Sequence, residues 1–404
     1  MVRVLVVSQY FWPEGFQINE VVEALVKRGM QVDVLTGKPN YPQGAIFSGY
    51  SAWGCQQQQR WGADIFRVPL FARGSRSAVR LALNYLSFVA SGLLFAPWML
   101  RGKRYDAIFV YAPSPILQAL PALFLGWMKR CGVVLWVQDL WPDSLEATGY
   151  VRNPAILAWI GKLVGFIYRR SDLLLVQSRA FEAPVSTFAP KRRVVYFPNS
   201  VDPMFCNPPL VDLPHIPQLA DGFPVVFAGN IGVGQSVETI IGAAALLKQH
   251  QEIRFVVLGD GSRRAWMLAQ IEAMGLSNIH LPGRFPVETM PGLMQLAAAL
   301  LVTLADEPVF AATVPNKIQA YMAAGRPILA CLNGEGARLV VEANAGLAVP
   351  AANAVALAAA VLKLYQMPAA ERAALGENGR TYFRAHFDRD QLVDKLIGYL
   401  KSVR

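Results

Sequence analysis

Lys317 stands in an unusual place for a cation. It lies in Val314-Pro-Asn-Lys-Ile-Gln-Ala-Tyr-Met-Ala-Ala-Gly-Arg-Pro-Ile, where Pro315 opens a helical pattern. The first turn of a helix is already positive, so a lysine there conflicts with the dipole unless an anion is held by both. Asn316 shares that turn. A second feature points the same way. Phe227-Ala-Gly-Asn-Ile-Gly-Val-Gly-Gln-Ser runs from a strand pattern into a helix pattern, and Gly259-Asp260-Gly261 ends the next strand. Backbone N–H groups in such loops can cradle a diphosphate. Gly229, Asn230, Gly232, Gln235, Gly259, Asp260 and Gly261 are therefore diphosphate-site candidates. Each loop alone is what an ordinary turn looks like; two at neighbouring strand ends are more specific. Gly15, in the loop Gln9-Tyr-Phe-Trp-Pro-Glu-Gly-Phe, would let a phosphate approach the following helix, although a plain turn glycine has the same pattern. The spacing G-x-G-x-x-G is absent.

The first half carries a different set of groups. Gln138 and Asp139 end an apolar strand pattern, followed by Trp141 and Asp143. Asp139 is a candidate site carboxylate at a strand end, or a buried, ion-paired aspartate. Lys38, Asn40 and Tyr41 follow another strand end. The four cysteines (Cys55, Cys131, Cys206, Cys331) are far apart and lack metal-ligand spacing, so reduced thiols and no metal site are expected.

These groups need a scaffold that brings strand ends together. Strand patterns at 3–8, 31–36, 64–68, 107–111, 133–138, 173–177 and 194–197 alternate with helical ones, beginning with 17–28. Residues 202–222 hold five prolines and little periodicity, and read as a linker. The alternation then restarts, with strands at 225–228, 255–258, 279–281, 300–303, 328–330 and 347–349. Helices are expected at 236–250, 263–274 and 316–324, and an amphipathic one at 391–403. Strands alternating with helices imply parallel sheets covered on both faces, which bind ligands at the carboxyl ends of their strands. The expected fold class is α/β, two Rossmann-like domains facing each other across a cleft. The expected divisions are 1–201, 202–222 (linker), 223–385 and 386–404, a helix crossing back to the first domain.

Composition narrows the setting. The 404 residues are 54% hydrophobic and 16% charged, below the roughly 25% charged residues of an ordinary soluble domain. Residues 1–201 carry 22 Lys and Arg against 11 Asp and Glu, whereas the remainder is nearly neutral. A nucleic-acid binder interleaves its cations with polar or aromatic readers; here they flank apolar runs instead, so no nucleic-acid partner is expected. Arg73, Arg76 and Arg80 precede the uncharged stretch 81–100, and Arg101, Lys103 and Arg104 follow it. Lys129 and Arg130 end the run 116–128, and Arg169 and Arg170 end 156–168. Cation-tipped apolar segments suit an anionic leaflet, and the bland alternative is buried helices with solvated ends. Stretch 81–100 is long enough to span, but Asn84, Ser87, Ser91, Gly92 and Pro97 interrupt it, so an interfacial helix is expected. Residues 1–8 suit a first strand better than a signal peptide.

With these residues in view, the chain resembles glycosyltransferase family 4, the retaining type of GT-B architecture. The matching pieces are PEGF at 13–16, WVQDLWPDSL at 136–145, YFPNSVD at 196–202, GNIG at 229–232, LGDG at 258–261, VPNKIQAYMAAGRPI at 314–328 and NGEGARLVVEANAGLAVP at 333–350. Within the family, QYFWPE, TGKPNYP and VQDLWPDS resemble the O-antigen and capsule branch that includes L-fucosamine (FucNAc) transferases. Two positions depart from the pattern. Where members often carry paired glutamates, this chain has Ala312 and Ala320, so ribose recognition is expected from another group, with Glu335 the candidate. Where many carry a histidine, it has Gln138, an amide that cannot titrate and would instead hydrogen-bond the donor sugar or acceptor.

The resemblance implies metal-independent transfer of a sugar, such as an N-acetyl-deoxyhexosamine, from a nucleoside-diphosphate sugar with retention and without a cofactor. The acceptor implied is a polyprenyl-diphosphate-linked saccharide at the inner face of the cell membrane, in lipopolysaccharide, capsule or exopolysaccharide synthesis. The resemblance also makes 1–201 the acceptor-binding, membrane-associating domain and 223–385 the nucleotide-sugar-binding one, with the glycine-loop residues, Gly15, Asn316 and Glu335 on the donor side. Lys317, the adjoining helix N-terminus, the glycine loop and Arg284 would stabilise the leaving diphosphate. Asp139 would orient the acceptor hydroxyl, with Trp141, Asp143, Lys38, Asn40 and Tyr41 on the acceptor side. Two rivals are a sugar-nucleotide epimerase of the same two-domain shape, which would place titrating groups in the cleft, and a dinucleotide-dependent oxidoreductase, disfavoured by the missing glycine fingerprint.

Overall fold

The computed structural model describes residues 2–403 apart from 75, 76, 148–150 and 152; Arg76, one of the flanking cations, lies outside the described residues. The chain divides into two compact units, residues 1–198 with 390–404, and residues 199–389.

In the first unit the strands are β1 (Arg3–Val7), β2 (Gln31–Thr36), β3 (Gln56–Arg60), β4 (Ala63–Arg67), β5 (Ala107–Ala112), β6 (Gly132–Val137), β7 (Leu173–Val176) and β8 (Arg193–Tyr196). They form one sheet in the order β3-β4-β2-β1-β5-β6-β7-β8. All pairs are parallel except β3 with β4. β3 (QQQQR) escapes the sequence reading because it has no apolar residue to alternate. It pairs through a two-residue turn, Trp61-Gly62, with φ of 51° and 84°, the left-handed pair that hairpins favour. The helices are α1 (Ile18–Lys27), α2 (Ala78–Met99), α3 (Ala119–Lys129), α4 (Asp143–Ala147), α5 (Pro154–Arg170) and α6 (Glu182–Phe188). Asn153 caps α5 by accepting from the Ala155 N–H, and Pro154 supplies the preset φ of a first helical residue.

The second unit has β9 (Phe223–Ala228), β10 (Ile253–Leu258), β11 (Ile279–Gly283), β12 (Ala299–Thr303), β13 (Ile328–Cys331) and β14 (Gly346–Val349), all parallel, in the order β11-β10-β9-β12-β13-β14. Its helices are α7 (Val237–Leu246), α8 (Arg264–Met274), α9 (Met290–Gln295), α10 (Pro308–Ala312), α11 (Asn316–Ala324), α12 (Glu335–Glu342), α13 (Ala354–Gln366) and α14 (Ala369–His386). α7 is shorter than the sequence pattern, because Ser236 sits left-handed before it and the chain turns after Leu246.

The last helix, α15 (Arg389–Ser402), packs on the first unit. Leu392, Val393, Leu396 and Leu400 join the core built on β1, β5 and β6, each burial contributing about 1.5–3 kcal/mol. Arg28 grips it through Asp390 and Asp394 at 2.8 and 2.6 Å. In each sheet the chain reverses its direction of growth once, between β1 and β5 and between β9 and β12. Parallel sheets of this kind bind ligands at the loops leaving those carboxyl ends.

Candidate active site

In the second unit the site is built where β9 and β10 end. Gly229 follows β9 with φ of 136°, and the Gly229 N–H donates to Leu258 O at 2.8 Å. A Cβ on Gly259 would lie 1.8 Å from Gly229 O, and one on Gly261 would lie 2.4 Å from Ile231 O. The two glycine loops are therefore braided into each other, and glycine is needed there for that contact first. Asn230 fits between Gly232 and Gly261, while the Asp260 carboxylate accepts from the Gly261 N–H.

Lys317 reaches this loop from the first turn of α11. Its Nζ lies 3.7 Å from the centre of the Phe227 ring and donates to Gln235 Oε1, and its Cε would touch a Cβ placed on Gly229. One turn on, Tyr321 is fully buried and its Oη accepts from the Ala228 N–H at 3.1 Å, which ties α11 to β9. Burial pushes the Lys317 ammonium down to about 7, and it takes part in none of the ion pairs among the described residues. A part-buried cation with no carboxylate partner among the described residues, resting on a glycine loop at an uncapped helix start, is arranged so that it can hold an anion.

The remaining donor candidates are distributed unevenly. Asn316 accepts from Asn199 Nδ2 at 3.1 Å. Arg284 is exposed just past β11, beside the end of β10. Glu335 is buried in the first turn of α12, past the end of β13, and both its oxygens are held by Arg338 at 2.7 and 2.9 Å. Its carboxylate keeps lone pairs for a hydroxyl but is not a free group. Gly15 belongs to the first unit, unlike the other donor candidates, and is exposed with open space around it.

In the first unit the β1, β2 and β6 ends carry the candidates. Gln138 follows β6, its N–H donating to Ala112 O, while its side-chain Nε2 is buried without a partner among the described residues. Burial raises the Asp139 carboxyl, opposed by the Ser144 hydroxyl and the Leu140 N–H. Trp141 is buried against Tyr85, ring centres 6.4 Å apart, and Asp143 is exposed at the start of α4. Lys38 is buried, donates to Gln56 Oε1 at 3.3 Å, and is pushed down by burial and then by Arg67. Tyr41 is partly exposed and carries Arg73 on its ring. Asn40 is a different case. It is fully buried, its Nδ2 donates to Lys38 O, and its Oδ1 accepts from the Arg73 N–H and Asn84 Nδ2. The structure gives its side chain to holding the loops, not to facing an acceptor.

Sequence reasoning missed Glu14. It is buried, and its carboxylate accepts from the N–H groups of Asn40 (2.8 Å), Tyr41 (2.7 Å) and Phe11 (3.2 Å). One side chain thus fixes the loops after β1 and β2 together, although burial raises its pKa against those bonds. Arg67, fully buried, donates to Gly37 O and Trp12 O from the end of β4. Gln9 Oε1 and Gln177 Oε1 are also buried without partners among the described residues, after β1 and β7. A buried amide left unpaired at a strand end has an atom that can take a hydroxyl group; the sequence signal for these was a polar residue closing an apolar strand.

Residues 15–200 match the glycosyl transferase 4-like domain model, and residues 222–367 match the group 1 glycosyl transferases model. The chain is similar to the putative colanic acid biosynthesis glycosyl transferase WcaI of Escherichia coli K12, 24% identical over 80% of this chain and 81% of that protein. It is also similar to the probable glycosyltransferase WbjE of Pseudomonas aeruginosa, 26% identical over 77% of this chain and 80% of that one. Among solved structures, sucrose-phosphate synthase from Thermosynechococcus elongatus matches with a TM-score of 0.76 at 17% identity, over 100% of this chain and 99% of that one. Anabaena HepE in complex with UDP and glucose matches at 0.67 and 16%, over 100% of both. The fold is that of GT-B glycosyltransferases, and the two domain matches make this chain a glycosyltransferase.

Proposed function

We propose that this glycosyltransferase transfers a sugar from a nucleoside-diphosphate sugar to a polyprenyl-diphosphate-linked saccharide in bacterial surface-polysaccharide synthesis, with retention and without a metal ion or cofactor. The carrying observation is Lys317, a part-buried ammonium with no carboxylate partner among the described residues, set against the Gly229 loop at the start of α11. As the bond to the donor sugar breaks, charge builds on the departing diphosphate. Lys317 and the α11 N-terminus neutralise it from positions fixed by Tyr321 and Phe227, so little reorganisation is needed. Gln138, Gln9 and Gln177 supply amide groups for sugar hydroxyls, and Asp139 orients the attacking hydroxyl. The HepE complex with UDP and glucose supports a sugar-nucleotide donor; the printed role of WcaI in colanic acid biosynthesis supports the polysaccharide role.

The lipid-linked acceptor fits the surface of the first unit. Val79–Met99 is long and apolar enough to cross a membrane, yet Asn84, Phe88 and Ala96 on it are buried, and Asn84 accepts from Gln9 Nε2 at 2.7 Å. α2 is thus anchored to the domain by one side and offers Leu94 and Trp98 from another, as an interfacial helix does. Lys103 is not part of that surface charge, because it pairs with Asp33 and Asp64 at 3.1 Å each; Arg101 and Arg104 are exposed.

The test is to incubate the purified enzyme with a panel of sugar nucleotides and a polyprenyl-diphosphate sugar. Acceptor-dependent release of nucleoside diphosphate from one donor is expected, with the product's anomeric configuration matching that donor. If no donor gives acceptor-dependent release, the proposal fails.

A further inference from the structure

The helices α2, α3 and α5 contain no Asp or Glu, and their cations stand in the first or last turns of the helices apart from Lys162. Their exposed faces carry Trp98 (71% exposed), Trp127 (76%) and Trp159 (63%). A patch of this kind marks an interaction surface, and tryptophan tips favour the membrane interface over bulk water. Between α3 and α5 the patch deepens into a cavity of about 730 Å³, walled by Leu123, Phe124, Trp127 and Phe166, with Arg130 and Arg170 among its lining residues. That volume is in the range of small-molecule sites. Both arginines are exposed, and neither has a carboxylate partner among the described residues. Arg170 rests on the Phe166 ring. The carboxylate of Asp172, also on the wall, is engaged by Arg192 and the Val133 N–H.

We propose that this cavity binds one acyl chain of an anionic phospholipid, whose phosphate is held by Arg130 and Arg170. The inference rests on the membrane-facing reading given above but adds a defined lipid site to it. Charge complementarity selects the occupant: an apolar slot with guanidinium groups at its side matches a chain attached to a phosphate. A second copy of this protein would bring cations against cations, since the three helices offer no acid to pair with. The lipid is also separate from the acceptor. Arg130 and Cys131 precede β6, whereas Gln138 and Asp139 follow its other end, about 20 Å away along six strand residues.

The experiment uses the full chain with vesicles of phosphatidylglycerol or phosphatidylcholine, followed by pelleting, gentle solubilisation and native mass spectrometry. One phosphatidylglycerol should remain bound per protein and phosphatidylcholine should not. Arg130→Glu with Arg170→Glu should reduce retention by roughly tenfold or more, while transfer to a water-soluble acceptor stays unchanged. Cys131 lines the same cavity, so in the unmutated protein its alkylation by maleimide, followed on its own peptide, should slow with phosphatidylglycerol alone. Equal retention of both lipids, unprotected Cys131, or a lipid-free dimer would overturn the proposal. If the protein does not pellet with vesicles at all, the membrane reading itself fails. If it pellets but keeps no lipid and leaves Cys131 reactive, only the cavity assignment fails.

Discussion

Replacing Lys317 with methionine should yield a protein that is more stable and nearly inactive. The ammonium lies 3.7 Å from the Phe227 ring centre, has a single side-chain amide partner, and is pushed by burial to about 7. At neutral pH the unfolded chain keeps this proton fully and the folded chain only half the time. At 1.36 kcal/mol per pH unit, that mismatch disfavours folding by on the order of 4 kcal/mol. Methionine keeps the length, lies on the ring and removes the mismatch. Gln235 loses its donor, at about 1–2 kcal/mol. The net gain is about 2 kcal/mol, which raises the melting point of a unit this size by roughly 4–8 °C. Turnover should fall by about 10²–10³, the effect of deleting one preorganised donor to a developing anion. The assays are thermal melting followed by tryptophan fluorescence, and the rate of nucleoside diphosphate release under donor saturation. A variant that melts lower than the parent and turns over within tenfold of it would show that Lys317 is an ordinary structural cation, and the reasoning would be wrong.

Nucleoside diphosphate affinity should be greatest below pH 7, where Lys317 is charged, and weaken by up to about tenfold per pH unit above it; calorimetric titration from pH 6 to 8.5 checks this, with Lys317→Arg flattening the curve. The stability effect has the opposite sense: the folded pKa lies below the unfolded one, so the folded chain holds fewer protons between about 7 and 10.5, and stability rises with pH across that window in the parent but not in Lys317→Met. Glu14→Ala should orphan two buried N–H groups, at about 1–3 kcal/mol each, and the part-buried one of Tyr41, and lower the urea midpoint of the first unit, with Glu14→Gln milder. Chelator treatment should leave transfer intact, and inactivation by EDTA that magnesium reverses would defeat the metal-independent mechanism.

The local signals were legible in the chain itself. Pro315 and Gly325 bracket α11 as a proline start and a left-handed cap. Apolar runs punctuated by glycine and proline marked most strands within a residue or two, and the position of Lys317 in a first turn already called for an anion. Such signals act over one helical turn or a few strand residues, so a sequence displays them directly. Tertiary structure alone decided which polar groups are free to bind. Asn40 and Lys103 read as available, but the fold commits the first to loop contacts and the second to a carboxylate 70 positions away. Lys317 acquires its lowered pKa only because Phe227 and Gln235, the latter 82 positions away, close around it without supplying a carboxylate. Desolvation and pairing are properties of neighbours in space, and the neighbours here come from strands and loops whose adjacency the sheet order sets, not the order of residues.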